Sequence, residues 1–283
     1  MKTKFIPHPH VIALINLALA EDLNGGDPTS ALLSESNSPQ TATIFAKSNF
    51  TVAGLPLLPL IIQESRFELE VEFLAQEGDQ VKKNQHLAKL HGKAVDILIL
   101  ERTLLNFMQQ LSAVATSTRK IKDLTADKVK VADTRKTIPG WRYLQKYAVL
   151  IGGGSNHRFN LAGGIMIKDN HIDACGGIAQ AVEAIRKHSP HPLRIEVETR
   201  NLEEVKQALA AEVDIIMLDN MSPELMKSII DNFGQRAIFE ASGNITIDNI
   251  QQIAHCGVQV ISLGSLTHTI NPPDISMKID PTP

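Results

Sequence analysis

The chain of 283 residues lacks most features that mark an unusual class of protein. It has two cysteines, Cys175 and Cys256, isolated from each other and without metal-ligand spacing. That excludes a disulfide framework and points to a reducing, cytoplasmic setting. It has no excess of charge: the net value of -3 and the pI near 6.4 leave no footprint for nucleic acid, so anions would need a local basic site. It has no long apolar run. Val11 to Ala20 follows Lys2 and Lys4 and ends Ala-Leu-Ala like a signal peptide, but Pro7 to His10 interrupt its approach and Asn16 sits within it. The run is too short to span a membrane and reads as a buried helix. Low-complexity segments are absent.

What is present is a rhythm. Apolar runs at Leu193–Glu198, Asp214–Asp219, Ala237–Glu240 and Val258–Gly264 end every 21 to 24 residues, each followed by a helical pattern. Strands alternating with helices at that period predict a parallel sheet closing toward a barrel. Val129–Asp133 and Ile165–Lys168 extend the series to about six strands, fewer than the eight of a complete barrel. Ser222-Pro223 is a helix start, Thr246 is placed to cap a helix over Ile247–Cys256, and Gly234 and Gly257 stand where helices stop.

The first part differs. Residues 40–100 alternate apolar and polar around turns at Gly54, Gly78 and Gly92, which predicts a small β layer. A helical pattern from Asp96 to Lys122 leads away from it. The pattern reads as a small, largely β first domain, a barrel-like part of about six parallel strands, and a tail from Asn271-Pro272-Pro273 onward that leaves the barrel toward the first domain.

In a parallel barrel the site lies at the carboxyl ends of the strands. Those ends carry Thr134-Arg135-Lys136, Lys168-Asp169-Asn170-His171, Glu198, Asp219, Ser242-Gly243-Asn244 and Leu263-Gly264-Ser265. Arginine forks suit carboxylate or phosphate, carboxylates suit ribose hydroxyls or Mg2+, and glycines let backbone N–H groups approach a phosphate. Taken singly these residues have plain readings. Asp133 could simply orient Arg135, His171 could be structural, and Gly152-Gly153-Gly154 could be a flexible loop. Their recurrence at successive strand ends favours one site.

The segments Glu21-Asp22 to Thr29-Ser30, Glu101–Asn106, Asp133–Thr137, Gly152–Arg158, Ile167–His171, Glu196-Val197-Glu198, Leu218–Asn220, Ser242-Gly243 and Gly264–His268 together resemble the quinolinate phosphoribosyltransferase family over nearly the whole chain. The resemblance implies an α/β fold of two domains, an N-terminal α/β sandwich over 1–112 rejoined by the tail 270–283 and an incomplete parallel α/β barrel over 113–269, and it implies transfer of phosphoribosyl from phosphoribosyl pyrophosphate to quinolinate with decarboxylation, giving nicotinate mononucleotide, pyrophosphate and CO2. It implies a homodimer or larger assembly, with Arg102 crossing the interface. It matches Arg135, His157, Arg158 and Lys168 to the pocket for the quinolinate carboxylates. Lys136 and Lys168 match the lysines near the sugar phosphate and pyrophosphate. Glu198 and Asp219 match the pair at ribose and Mg2+. Ser242, Gly243, Asn244 and Gly264, flanked by Leu263 and Ser265, match the 5′-phosphate loops, and Thr134 lies beside the arginine. The chain departs from the common pattern at Ile138, Trp141, Gln145 and Asn244.

Three other readings compete. A molybdenum-transport-associated paralogue would lack the Lys168–His171 segment. A Schiff-base lyase would use Lys168 as nucleophile. A carrier module would need an attachment site near Gly78 or Gly92, where none is seen.

Overall fold

The structure is a computed structural model that describes residue 5 and residues 7–29 and 38–281; Lys2, Lys4 and Ser30 lie outside these. The chain runs α1 (Pro9–Leu23), β1 (Pro39–Ala46), β2 (Phe50–Thr51), α2 (Leu57–Ser65), β3 (Leu69–Phe73), β4 (Gln80–Val81), β5 (His86–Lys93) and α3 (Ala94–Thr125). It continues through β6 (Lys130–Ala132), α4 (Arg142–Ile151), β7 (Ile165–Ile167), α5 (Asp169–Cys175), α6 (Ile178–Arg186), β8 (Ile195–Thr199), α7 (Leu202–Ala210) and β9 (Ile215–Asp219). The remainder is α8 (Pro223–Phe233), β10 (Ile238–Ser242), α9 (Ile250–His255), β11 (Val260–Ser262), α10 (Ser265–His268) and β12 (Ile275–Ile279).

Two compact units result. The first comprises 1–119, 137–153 and 266–283; the second comprises 120–136 and 154–265. The tail from 266 onward groups with the first unit. The segment 137–153, which a linear division leaves with the barrel, also groups there. Its helix α4 buries Leu144, Tyr147, Ala148 and Val149. The Tyr147 hydroxyl donates to Glu77 at 2.9 Å.

The first unit is built on an antiparallel sheet in the order β12-β1-β5-β3. Ala42 of β1 pairs with Ile279 on one side and Leu90 on the other. The helix α3 buries Leu100, Leu104, Leu105, Met108, Leu111 and Val114. Its hydroxyls also serve the neighbouring irregular backbone. Ser112 accepts from Ala53 N and donates to Ala53 O, and Thr116 accepts from Thr51 N. Glu77 accepts from Gly54 N and Leu55 N at 2.7 and 3.0 Å; burial still holds its pKa above the ordinary carboxylate value against these bonds and Tyr147.

Two departures from the common family pattern have physical accounts here. Gln145 is buried and uses both ends of its amide, accepting from Ile138 N at 2.9 Å and donating to Thr267 O at 2.8 Å. An ionised glutamate could not donate to that carbonyl. Trp141 stacks on Phe107 with ring centroids 5.0 Å apart.

The glycine run has a packing role in its first member. A Cβ on Gly152 would stand 2.5 Å from Ala115 O and 2.6 Å from Thr118 Cβ, so the end of α4 meets α3 where only glycine fits.

The second unit is a six-stranded parallel sheet in the order β6-β11-β10-β9-β8-β7. The two edge strands, β6 and β7, are consecutive among the strands of this sheet, so the order is that of an α/β barrel left open between them. The segment after α4 reaches the free edge of β6 through an Ala132–Ser155 bridge. Helix starts follow local chemistry: Ser222 accepts from Leu225 N ahead of Pro223, and Asn201 accepts from Glu204 N. One start differs from the sequence reading. Residues 247–249 form a turn, and α9 begins at Ile250 because Asn249, not Thr246, supplies the local side-chain bond, accepting from Thr246 N at 2.8 Å.

The Gly152 contact is testable. Gly152→Ala is expected to cost about 2–3 kcal/mol of stability, because the obstructing atoms belong to the backbone and Cβ of a buried helix. Gly25→Ala, with nothing within 4 Å of the added carbon, is expected to stay within about 0.5 kcal/mol of wild type in urea unfolding. Equal stability of the two variants would contradict the close-packing account.

Candidate active site

The geometry of the site begins with sheet register. Glu198 pairs with Met217, and Asp219 pairs with Ser242, while Glu240 pairs with both Met217 and Val260. Because successive side chains alternate between faces, Glu196, Glu198, Met217, Asp219, Glu240 and Ser242 all lie on one face of the sheet. By register Glu198, Met217 and Glu240 share one level, Asp219 and Ser242 stand one step nearer the carboxyl ends, and Glu196 stands one step deeper.

At the carboxyl ends, Lys168 Nζ approaches Glu198 Oε2 at 3.2 Å. Lys168 is about half exposed and Glu198 largely buried, so the pair is partly shielded from water. Lys168 is also the N-cap residue of α5, and its backbone N–H donates to His171 Nδ1 at 3.0 Å. His171 thus braces the turn that presents Lys168, which is the structural one of its two readings.

One strand over, Asn220 donates from Nδ2 to Asp219 Oδ2 at 2.6 Å and from its backbone N to Ser242 O at 2.9 Å. Gly243 makes room for it: a Cβ there would stand 2.3 Å from Asn220 Oδ1, and its φ is +84°. Asn244 has a φ of +50°, a left-handed conformation that asparagine tolerates and glycine shares. That explains why either residue serves at this position.

Beyond β6, Asp133 is fully buried. It accepts from Asn156 Nδ2 at 2.6 Å and from His157 N at 2.9 Å, so it holds the 155–158 segment against the sheet. His157 Nδ1 accepts from Arg158 N at 2.7 Å, and His157 Nε2 lies 3.2 Å from Glu196 Oε2 and 3.6 Å from Glu240 Oε1. The Arg158 guanidinium donates to Gly164 O at 2.8 Å. Burial first, and then the charge of Arg135, pull the Arg158 pKa down, while Glu196 opposes them. The Glu240 carboxyl is pushed up to about 7 by burial and by the charge of Glu196, against the pull of His157 and a bond from Ser262.

A cavity of about 470 Å³ lies on the amino-terminal side of these strands. Lys130, Ile165, Ile215 and Val260, the first residues of their strands, line it together with Glu196 and Glu240.

The candidate residues therefore divide. Lys168, Glu198, Asp219, Ser242, Gly243 and Asn244 gather on neighbouring strand ends. Thr134, Arg135 and Lys136 follow β6, with Thr134 Oγ1 accepting from Lys136 N at 3.0 Å and Lys136 exposed. Leu263 is buried and donates its N–H to Ala132 O at 2.9 Å, Gly264 follows it, and Ser265 opens α10. His157 and Arg158 belong to the deeper cluster. Arg102 is exposed on α3 in the first unit. The deeper glutamates received no role from the sequence. The available signal was a charged residue two positions before Glu198 and two before Ser242, on the same face inside apolar strands.

The donor set at the strand ends suits Mg2+, which prefers oxygen. Glu198 and Asp219 offer carboxylates from adjacent strands, yet each already has a partner in Lys168 or Asn220. Such a pair fits an ion held largely through substrate phosphates and water. Among the described residues no helix is long and apolar enough to cross a membrane.

Comparison with known proteins agrees along the whole chain. Residues 27–112 match the quinolinate phosphoribosyl transferase N-terminal domain and residues 114–278 its C-terminal domain. The probable nicotinate-nucleotide pyrophosphorylase (carboxylating) of Bacillus subtilis is 40% identical over 273 residues, covering 96% of this chain and 94% of that protein. The chloroplastic enzyme of that name from Arabidopsis thaliana is 41% identical, over 95% of this chain and 82% of its own. The structure of the nicotinate-nucleotide pyrophosphorylase from Francisella tularensis superposes with a TM-score of 0.91 at 38% identity, covering 98% of each chain. With both domain models matched in order and relatives of this identity spanning its length, the chain belongs to the quinolinate phosphoribosyltransferase family.

Proposed function

We propose that this protein transfers phosphoribosyl from phosphoribosyl pyrophosphate to quinolinate and releases CO2, forming nicotinate mononucleotide for NAD biosynthesis. The observation that carries this reading is the meeting of a cationic set with the Glu198–Asp219 pair on the ends of one parallel sheet. A reaction between a dicarboxylate and a polyphosphate needs both. Cations offset the mutual repulsion of two anions and hold them in line. Carboxylates hold the ribose and favour the positive charge that develops at its C1.

The pyridine nitrogen attacks ribose C1 as the C1–oxygen bond to pyrophosphate breaks. Glu198 and Asp219 hold the ribose hydroxyls; Asn220 keeps Asp219 aimed. Lys136 and Lys168 stabilise the departing pyrophosphate, and Lys168 stays beside Glu198 until the phosphates arrive. Ser242, Gly243, Asn244 and Gly264 receive the 5′-phosphate. Arg135 and Arg158 hold the acceptor carboxylates. Glu198 and Asp219, together with substrate oxygens, would hold Mg2+, which would further neutralise phosphate charge. With the ring nitrogen quaternised, the electrons of the C2–carboxylate bond have a sink; CO2 leaves and C2 takes a proton from Lys136, Lys168 or water.

The protein works as a homodimer or larger assembly in a reducing, cytoplasmic compartment, with Arg102 serving a neighbouring subunit. Two observations support this: Arg102 is exposed, and it stands in the other unit from the remaining basic residues.

Incubation with quinolinate, phosphoribosyl pyrophosphate and Mg2+ is expected to give nicotinate mononucleotide and CO2 in equal amounts, with no product from nicotinic acid. Product from nicotinic acid and none from quinolinate would sink the assignment.

Gly243→Ala is expected to displace Asn220 and lower kcat/KM for phosphoribosyl pyrophosphate about 10- to 100-fold. An unchanged value would remove Asn220 from the account.

Arg102→Ala and Lys168→Ala are each expected to lose activity, the latter about 100-fold or more. Mixed under conditions of subunit exchange, they are expected to recover about a quarter of wild-type activity, the share of native sites when subunits pair at random. No recovery, with exchange shown by mass spectrometry, would place Arg102 in its own subunit's site or outside any site.

A further inference from the structure

Two segments proposed to meet phosphoribosyl pyrophosphate, 133–136 after β6 and 263–265 after β11, leave paired strands. The sheet holds their near ends: Ser262 pairs with Ala132, and Leu263 N donates to Ala132 O at 2.9 Å. Beyond them the chain enters the first unit, at residue 137 and again at residue 266. There a side chain of α4 joins the two runs. Gln145 Oε1 accepts from Ile138 N at 2.9 Å, and Gln145 Nε2 donates to Thr267 O at 2.8 Å. One end of the group must accept and the other must donate. A neutral amide does both, whereas a carboxylate offers only acceptors and an ammonium only donors.

We infer that Gln145 is a positioning residue for phosphoribosyl pyrophosphate: its amide fixes the far ends of the Lys136 and Gly264 segments, as the β6–β11 ladder fixes their near ends. The inference rests on the proposed function, which brings phosphates to Lys136 and Gly264.

Three features support the assignment. Gln145 and Thr267 are both buried, so the bond between them is made out of competition with water. The helix that carries Gln145 is itself anchored: the Tyr147 hydroxyl donates to Glu77 at 2.9 Å, and Trp141, at the start of the helix, stacks on Phe107. Arg142 of the same helix donates from Nε to Thr137 Oγ1 at 3.0 Å, so two α4 side chains act on the residues that follow Lys136. The reach from clamp to substrate group is short, since Lys136 stands two residues before Ile138 and Ser265 two before Thr267. The acceptor side is less dependent on it. Arg135 follows Asp133, which Asn156 Nδ2 and His157 N hold separately. Loss of the clamp therefore acts on the phosphates through two segments and on the acceptor through one that has its own anchor.

The test uses the whole protein with Mg2+ and compares Gln145→Met, close in length but without either hydrogen-bonding end, with Tyr147→Phe, which takes a bond from the same helix on its Glu77 side. Gln145→Met is expected to raise KM for phosphoribosyl pyrophosphate about 10-fold, with KM for quinolinate within about threefold. Tyr147→Phe is expected to lower the urea midpoint and to leave both KM values within about twofold. If Gln145→Met behaved like Tyr147→Phe, or raised both KM values equally, the role of Gln145 would be structural and the inference overturned. Should Gln145→Met fail to fold, Gln145→Glu, which keeps an acceptor for Ile138 N, is read by the same split; failure of both to fold would also make the role structural. If wild type made no product from quinolinate, the proposed reaction would fail, and calorimetric affinities for phosphoribosyl pyrophosphate would decide the role of Gln145. No binding of that substrate by wild type would end both readings.

Discussion

Parallel strands in register put every second side chain on one face, and in this sheet that face carries charge. Glu196 and Glu198 are two residues apart on β8, Met217 and Asp219 on β9, Glu240 and Ser242 on β10. A slip of one residue in any of these strands would turn its polar residues toward the helices and its Val197, Leu218 or Ala241 into the site. The backbone ladder that pairs Asp219 with Ser242 therefore fixes the acidic pair before any side-chain contact is made.

Charge at this density is costly unless partners answer it, and the partners arrive from several elements. Lys168 comes from the start of α5, His157 and Arg158 from the segment that crosses the open side of the sheet, Asn220 from the turn after β9. Burial and the charge of Glu196 push the Glu240 carboxyl up to about 7, which eases the cost of placing two carboxylates side by side in the interior. The charge of Arg135 bears on Arg158, and Glu196 opposes it.

Much of this organisation was legible in the sequence because parallel strands recur with the length of one helix and two loops. All six strands of the second unit fall where apolar runs end in polar residues. What was not legible depended on distance in space. The Gly152 position reads locally as a loop; its cause is the surface of α3, more than 30 residues earlier in the chain. Helix α4 follows a barrel strand in sequence but groups with the first unit through its apolar face and Tyr147. His171 could be read as catalytic or structural until its bond to Lys168 N was seen. Glu240 ended a predicted strand, Ala237–Glu240. The strand in fact continues to Ser242, which puts Glu240 in its middle, buried.

The division between strand-borne and loop-borne groups also bears on how the reaction is organised. Glu198 and Asp219 belong to the strands themselves, where hydrogen bonds on both sides restrict motion. The groups proposed for phosphate lie on loops with left-handed residues, Gly243 at +84° and Asn244 at +50°. The transition state gains positive charge at a sugar carbon that must stay in place, while its phosphates must enter, bind and leave. Fixed carboxylates serve the first need, since reorganisation at the moment of bond breaking would consume the electrostatic advantage. Short loops braced at single points, as Asn249 Nδ2 braces Asn244 O at 3.0 Å, serve the second.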